Sequence, residues 1–210
     1  MIGYYHQLLL EYYGPIILVK RYIPNDAPDS EIFAPRSPYD ECVKYIAECY
    51  DKAAELLPET VIDTELGLPT RMSALSYKAR LLLYAASPLV NGNSDYVGFD
   101  NHDGTPLMNT TYDPEKWKKA MEAAAEAISV AEKVNSELGR QNFMLYTSAD
   151  SSLPNDERGR RNYRDAFTKE HWNGLEFIEA KGDRGGCQTL QQLMGPRPIA
   201  NNMSLGWKTT

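Results

Sequence analysis

Apolar residues return at intervals of three and four over much of the first 135 positions, and each such stretch predicts an amphipathic helix. Between Ile2 and Tyr13 the stripe is Tyr5, Leu8, Leu9, Tyr12 and Tyr13, and Gly14-Pro15 stops it. Ile16 to Tyr22 reads as a short extended stretch, and Pro24, Pro28, Pro35 and Pro38 mark an irregular loop. Ser37-Pro38 offers a capping hydroxyl and a proline whose fixed φ suits the first helical position. Cys42, Val43, Ile46, Cys49, Tyr50, Ala53, Ala54 and Leu57 then share one face, with Asp40, Glu41, Lys44, Glu48, Asp51, Lys52 and Glu55 on the other, until Pro58 closes the helix. Thr70 is placed to cap the next helix, in which Ala74, Leu75, Leu81, Leu82 and Ala85 are apolar. Ala79, Ala85 and Ala86 keep its surface narrow, so a neighbour can pack close. Asp113-Pro114 repeats the cap-and-proline device and opens a third long helix through Trp117, Ala120, Met121, Ala124, Ala127, Ile128 and Ala131 to about Asn135.

Three long helices with alanine-rich seams predict a mainly α fold of tetratricopeptide-like helix pairs, an α-α superhelix with long loops, although the full repeat consensus is absent. Residues 1–135 are expected to form this helical core and 136–210 a loop-rich flank. Ser87 to Thr111, rich in Asn, Asp, Gly, Ser and Pro, reads as a loop. In the flank, Leu175 to Ala180 alternates as a short strand does, and Gly182 to Thr210 shows no sustained period. Arg158, Arg160, Arg161 and Arg164 are interleaved with Asp156, Glu157 and Asp165, a pattern that reads as a solvated loop rather than a phosphate site.

The charge balance narrows the choice of partner. Against 22 Lys and Arg stand 29 Asp and Glu, a net charge of −7 with no basic footprint, so a duplex nucleic acid is not expected as ligand. No apolar run approaches the ~18–20 residues of a membrane span. Cys42 and Cys49 lie two turns apart on one predicted helix, about 10 Å, too far for a disulfide. They read as small buried hydrophobes.

Candidate chemistry points to binding rather than catalysis. No spacing joins a nucleophile to a base, and no metal, P-loop or dinucleotide motif is present. His6, His102 and His171 stand apart and read as structural or surface residues. Glu176 and Glu179 fall on opposite faces of the expected strand, which disfavours a glycosidase pair. Asp100-Asn101-His102-Asp103-Gly104 resembles a calcium loop, but aligning Gly104 with the EF-hand glycine puts Phe99 and Thr110 where acids are required. No cofactor is expected, and the spacing does not support calcium. For sugars the useful chemistry is an aromatic face flanked by groups that satisfy hydroxyls. Tyr96 beside Asn93 and Asp95, Trp172 beside Asn173, and Trp207 in the tail are the candidates for glycan contact. Most tyrosines of the first fifty residues, and Trp117, lie on predicted apolar stripes and are assigned to the core.

A set of blocks then becomes recognisable. Tyr4-Tyr5-His6, Tyr12-Tyr13-Gly14-Pro15-Ile16, Ser37-Pro38-Tyr39-Asp40-Glu41-Cys42-Val43 and Ala54-Glu55-Leu56-Leu57-Pro58 are followed by Ala79-Arg80 and Ala85-Ala86-Ser87-Pro88-Leu89-Val90-Asn91-Gly92. Next come Asp103-Gly104-Thr105-Pro106-Leu107, Tyr112-Asp113-Pro114-Glu115-Lys116-Trp117 and Tyr163-Arg164-Asp165-Ala166-Phe167-Thr168-Lys169-Glu170. In this order they resemble the SusD/RagB family of surface nutrient-binding lipoproteins. Ile2 and Ile17 depart from the family pattern, which favours a basic residue and a proline there. The resemblance implies a non-catalytic outer-membrane lipoprotein of a Bacteroidetes-type bacterium, exposed at the cell surface. Its loops would capture oligosaccharides for a SusC-like TonB-dependent transporter. Family members are usually over twice this length, so the chain reads as an internal fragment without signal peptide or lipid-bearing cysteine, touching the membrane only through that absent anchor. The alternative is a helical protein-interaction scaffold in which this part binds no sugar.

Overall fold

A computed structural model describes residues 1–61, 68–138, 144–147, 152, 154–168 and 178. They form helices α1 (Ile2–Tyr13), α2 (Asp29–Ile32), α3 (Tyr39–Leu56), α4 (Arg71–Ala86), α5 (Glu115–Leu138) and α6 (Asn155–Thr168), with a single 3-10 turn at Ser94–Tyr96. Among the described residues there is no sheet, only an isolated antiparallel bridge between Asp100 and Pro106. The mainly α expectation therefore holds. No described helix is long and apolar enough to cross a membrane.

The core sits where α3 packs on α4 and α4 on α5, with α1 laid across α3. Tyr39, Cys42, Ile46 and Tyr50 from α3 meet Met72, Leu75, Leu81 and Ala85 from α4, and Ala127, Val130, Ala131 and Val134 close the other side. Helix starts follow the caps in part. The Thr70 side chain accepts the Ser73 N–H while Ser73 Oγ accepts the Thr70 N–H, a reciprocal box that satisfies two otherwise orphaned donors. Asp113 Oδ1 accepts the Glu115 N–H at 2.9 Å, as its place ahead of α5 predicts. Ser37 is not a cap: α3 begins one residue after Pro38 with no side-chain cap, and Asp40 and Glu41 in its first turn suit the positive end of the helix dipole. The Ser37 backbone is used otherwise, its N–H donating to the Ile16 carbonyl and its carbonyl accepting the Cys42 thiol.

One predicted stripe faces the wrong way and a second does so in part. Helix α1 buries Gly3, His6, Gln7 and Leu10, and leaves Tyr5, Leu9, Tyr12 and Tyr13 exposed. The polar pair wins because each side chain finds partners: His6 Nδ1 bonds to the Ile2 carbonyl, His6 Nε2 accepts the Val19 N–H, and Gln7 Oε1 accepts the Tyr50 hydroxyl at 2.6 Å. Gly3 lets the helix approach, since a Cβ there would stand 3.2 Å from Cys49 Cβ. On α5 the buried positions are Ala120, Ala123, Ala127, Val130, Ala131 and Val134, while Trp117, Met121 and Ile128 are exposed. Trp117 is thus not a core residue, because the face that closes on α4 is the one with the smallest side chains.

The arginine cluster read as a loop lies on α6, where Arg160 and Arg161 each stand one turn from the acid that pairs with them and Arg164 pairs with its neighbour. Arg160 meets Asp156, and Arg161 and Arg164 meet Asp165. Local i,i+4 pairs of this kind support a solvated helix as well as they do a loop. The expected strand at 175–180, Ile178 apart, and the tail from Gly182 lie outside the described residues.

The loop joining α4 to α5 is clasped at its ends. Buried Asn91 donates to the Ala86 and Asp113 carbonyls, and its Oδ1 accepts the Asp113 N–H. Gly92, at φ +80°, leaves no room for a Cβ, which would come 2.8 Å from the Tyr112 Cα. Gly98 has a similar φ of +79° in open space. Alanine at Gly98 is therefore expected to cost roughly 1–2 kcal/mol, the left-handed backbone penalty alone. Alanine at Gly92 is expected to cost about 1–3 kcal/mol more, because backbone must also move. Urea melts of the two variants test this, and equal losses would mean that the Tyr112 contact yields freely.

Candidate functional site

Two surfaces have the chemistry to hold a ligand. The first is the loop that carries Tyr96. Its ring, half-buried at the end of the 3-10 turn, rests on Phe99 with centroids 6.1 Å apart, and the Arg36 guanidinium lies over Phe99 at 5.0 Å. Asn101 ties the two segments together by donating to the Arg36 carbonyl at 2.8 Å. Asn93, grouped with Tyr96 as a hydroxyl partner, is committed to its own turn: Oδ1 accepts the Asp95 N–H and Nδ2 donates to the Leu89 carbonyl. Trp172, Asn173 and Trp207 lie outside the described residues.

In the acidic loop that follows, Asp103 Oδ1 accepts the Thr105 N–H at 2.9 Å, and this bond holds the exposed Asp103 carboxyl below its ordinary range. The Gly104 N–H returns to the Asn101 carbonyl and the Asn101 N–H to the Thr105 carbonyl. These bonds make a polar turn with Gly104 at φ +81°. Among the described residues no three His, Cys, Asp or Glu side chains gather as metal ligands do.

The second surface is a groove of about 570 Å³ between α3 and α5, floored by α4. The ion pairs fix how the helices run. Lys116 near the start of α5 meets Asp40 near the start of α3 at 2.6 Å. Farther along both, Asp51 and Glu126 share Lys78 of α4, at 2.5 and 3.4 Å. Helices α3 and α5 are therefore parallel, with α4 antiparallel between them. Glu59 repeats the link beyond the end of α3, accepting from Arg71 of α4 and Lys133 of α5. Apolar Val43, Ala47, Leu82, Ala85 and Ala123 line the base, and charged side chains stand on the rims.

Burial works against a charge on Lys78, but the hydrogen bonds and charges of Asp51 and Glu126 outweigh it and hold the ammonium above its ordinary range. Burial also pushes up the Tyr39 and Tyr50 phenols and the Cys42 thiol. The two phenols and the thiol are packed against the core and neutral at pH 7.

Residues 1–83 match the family SusD-like_3, described as "Starch-binding associating with outer membrane". The structure resembles that of BT4246, with 32% identity, a TM-score of 0.67 and coverage of 87% of this chain. A selenomethionine form of BT4246 matches at 29% identity and a TM-score of 0.65, again over 87% of this chain. The chain is SusD-like in its first 83 residues and in its fold. A SusD-like protein of Bacteroides fragilis NCTC 9343, BF3747, shares the fold at 19% identity and a TM-score of 0.52, over 84% of this chain. The chain spans 33% of the length of either BT4246 structure and 24% of that of BF3747. No curated protein matches it.

Sequence reasoning missed the groove of this SusD-like chain because its wall residues read as an ordinary solvated face. The signal was present: Asp40, Lys44, Glu48 and Asp51 recur at helical spacing along α3. Lys78, on the predicted helix from Thr70, carries no local sign of its pairing, because Asp51 and Glu126 lie on other helices.

Replacing Lys78 with methionine is expected to destabilise the chain at pH 8, because Asp51 and Glu126 then face each other without a cation. Since the folded state raises the Lys78 pKa, its stabilisation is complete below about 10.5 and is lost as pH climbs through the folded value. The gap between wild type and Lys78→Met in denaturant midpoint should accordingly narrow as pH rises above about 10.5. A gap that is flat across this range would remove the ion triad from the account.

Proposed function

We propose that this SusD-like chain belongs to a surface lipoprotein that captures an oligosaccharide without cleaving it and passes it to a SusC-like TonB-dependent transporter. The observation that carries the reading is the match of residues 1–83 to a family described as starch-binding and associated with the outer membrane. The helices serve as frame and the loops as contact surface. In this reading Tyr96, Trp172, Asn173 and Trp207 contribute to glycan contact, the rings lying against the apolar C–H faces of pyranoses and the amide satisfying hydroxyls. The lipid anchor that fixes the parent to the membrane belongs to the same proposal. No cofactor takes part.

Affinity electrophoresis of the full-length parent through gels containing starch and other host and plant polysaccharides tests it. At least one glycan is expected to retard the protein while reducing-end assays stay at background. Trp172→Ala is expected to weaken that retention by roughly twofold to tenfold, the loss of one aromatic face. Release of reducing ends would replace capture with hydrolysis. Absence of retention on every polysaccharide, together with a stable complex with the transporter, would favour a helical scaffold that binds no sugar in this part.

A further inference from the structure

The loop surface assigned to glycans carries a cation that no described residue neutralises. Every other arginine among the described residues has a carboxylate or amide partner, from Arg21 on Glu31 to Arg164 on Asp165. Arg36 has none: half-buried, it lays its guanidinium over the Phe99 ring at 5.0 Å. Asp95, Asp100 and Asp103 stand exposed on the loop that carries Phe99, and none of them comes within ion-pair distance of it.

The position of this cation is fixed from both sides. Pro35 sets the backbone φ just before it. The Arg36 carbonyl accepts Asn101 Nδ2 at 2.8 Å, and the next N–H, that of Ser37, donates to the Ile16 carbonyl at 2.8 Å. The Phe99 ring takes up one face of the guanidinium, while the N–H groups, which lie in the plane of the cation, are left to donate outward. A planar fork of donors is matched by a carboxylate, which accepts two parallel bonds, and such charged bonds are roughly twice as strong as neutral ones. A carboxylate therefore gains more here than a hydroxyl does. Beside the fork, the half-buried Tyr96 ring, 6.1 Å from Phe99, offers an apolar face. The exposed acids of the loop accept hydrogen bonds from hydroxyls but repel an anion that has none to give.

We propose that Arg36 is a specificity-determining residue of this surface and that the glycan it selects is acidic, built of pyranoses that bear a carboxylate, as uronic and sialic acids do. The carboxylate docks on the Arg36 fork, and the hydroxyls of the same ring are left for the loop acids. The inference rests on the capture reading and narrows its substrate class.

Isothermal titration calorimetry of the full-length parent tests it, with oligosaccharides of galacturonate, glucuronate, mannuronate and sialic acid, each set beside its own methyl ester, and maltooligosaccharides as the neutral reference. At least one acid is expected to bind roughly tenfold tighter than its ester, because esterification removes the charge and keeps the ring. The advantage should shrink as salt is raised to about 0.5 M. Arg36→Gln is expected to abolish the preference while leaving affinity for the ester within about twofold. Arg36→Lys keeps the charge without the fork and is expected to retain only part of the preference. Circular dichroism checks that both variants keep their helices, and the wild-type comparison of acid with ester needs neither. Glycans bound with no acid preferred to its ester would overturn the inference and leave capture standing. Absence of binding to every sugar would overturn both, and a folded Arg36→Gln variant with undiminished preference would remove Arg36 from the role.

Discussion

Small side chains at the helix contacts set how near the rods can come, and the placement of charge follows from that nearness. Ala85 and Ala86 of α4 are buried, as are Ala120, Ala123, Ala127 and Ala131 along α5. With no bulk between the axes, long side chains fit only at the edges of the contact. Lys78 can then reach across α4 to carboxylates on both neighbours. Larger residues at these seams would widen the spacing and separate those partners. The parallel course of α3 and α5, and the trough between them, are thus consequences of alanine content as much as of any ion pair.

Helix existence was legible because periodicity depends only on the order of apolar residues. Gly14, Pro58, Thr70 and Asp113 marked ends that the structure keeps. Orientation was less legible. In α1 the apolar count favoured the tyrosine face, yet His6 and Gln7 are the residues turned inward. Their partners are Val19, about a dozen residues on, and Tyr50 in another helix, and such distant bonds leave no local mark. In α5 the periodicity places Ala120, Ala127 and Ala131 correctly, but close packing turns the bulkier Trp117, Met121 and Ile128 out to solvent. Helix α6 was hidden because its residues are too polar to show an apolar stripe, and its support comes from ion pairs one turn apart.

The candidate sites divide along the same line. Tyr96 was legible as a loop aromatic, and it is found on Phe99 in the α4–α5 loop. That Asn93 spends its amide on the turn depends on backbone geometry and was not legible. The groove depends on the register between α3 and α5, a relation over some seventy-five residues that no single-helix pattern encodes. Outside it, Tyr5, Tyr12 and Tyr13 on α1 and Trp117, Met121 and Ile128 on α5 leave apolar surface open to water. Surface of that kind favours contact with whatever apolar face is presented to it.

The clasp between Asn91 and Asp113 bears on how the α4–α5 loop can diversify. Because both ends of the excursion are fixed to each other by reciprocal hydrogen bonds, and Leu107 pins its middle by accepting the Tyr39 N–H, the exposed tip from His102 to Thr105 is mechanically insulated from the helices. Residues can be exchanged or inserted there without disturbing the scaffold's register. The loop tip is in that sense modular, and a lineage can change its chemistry while inheriting its frame intact.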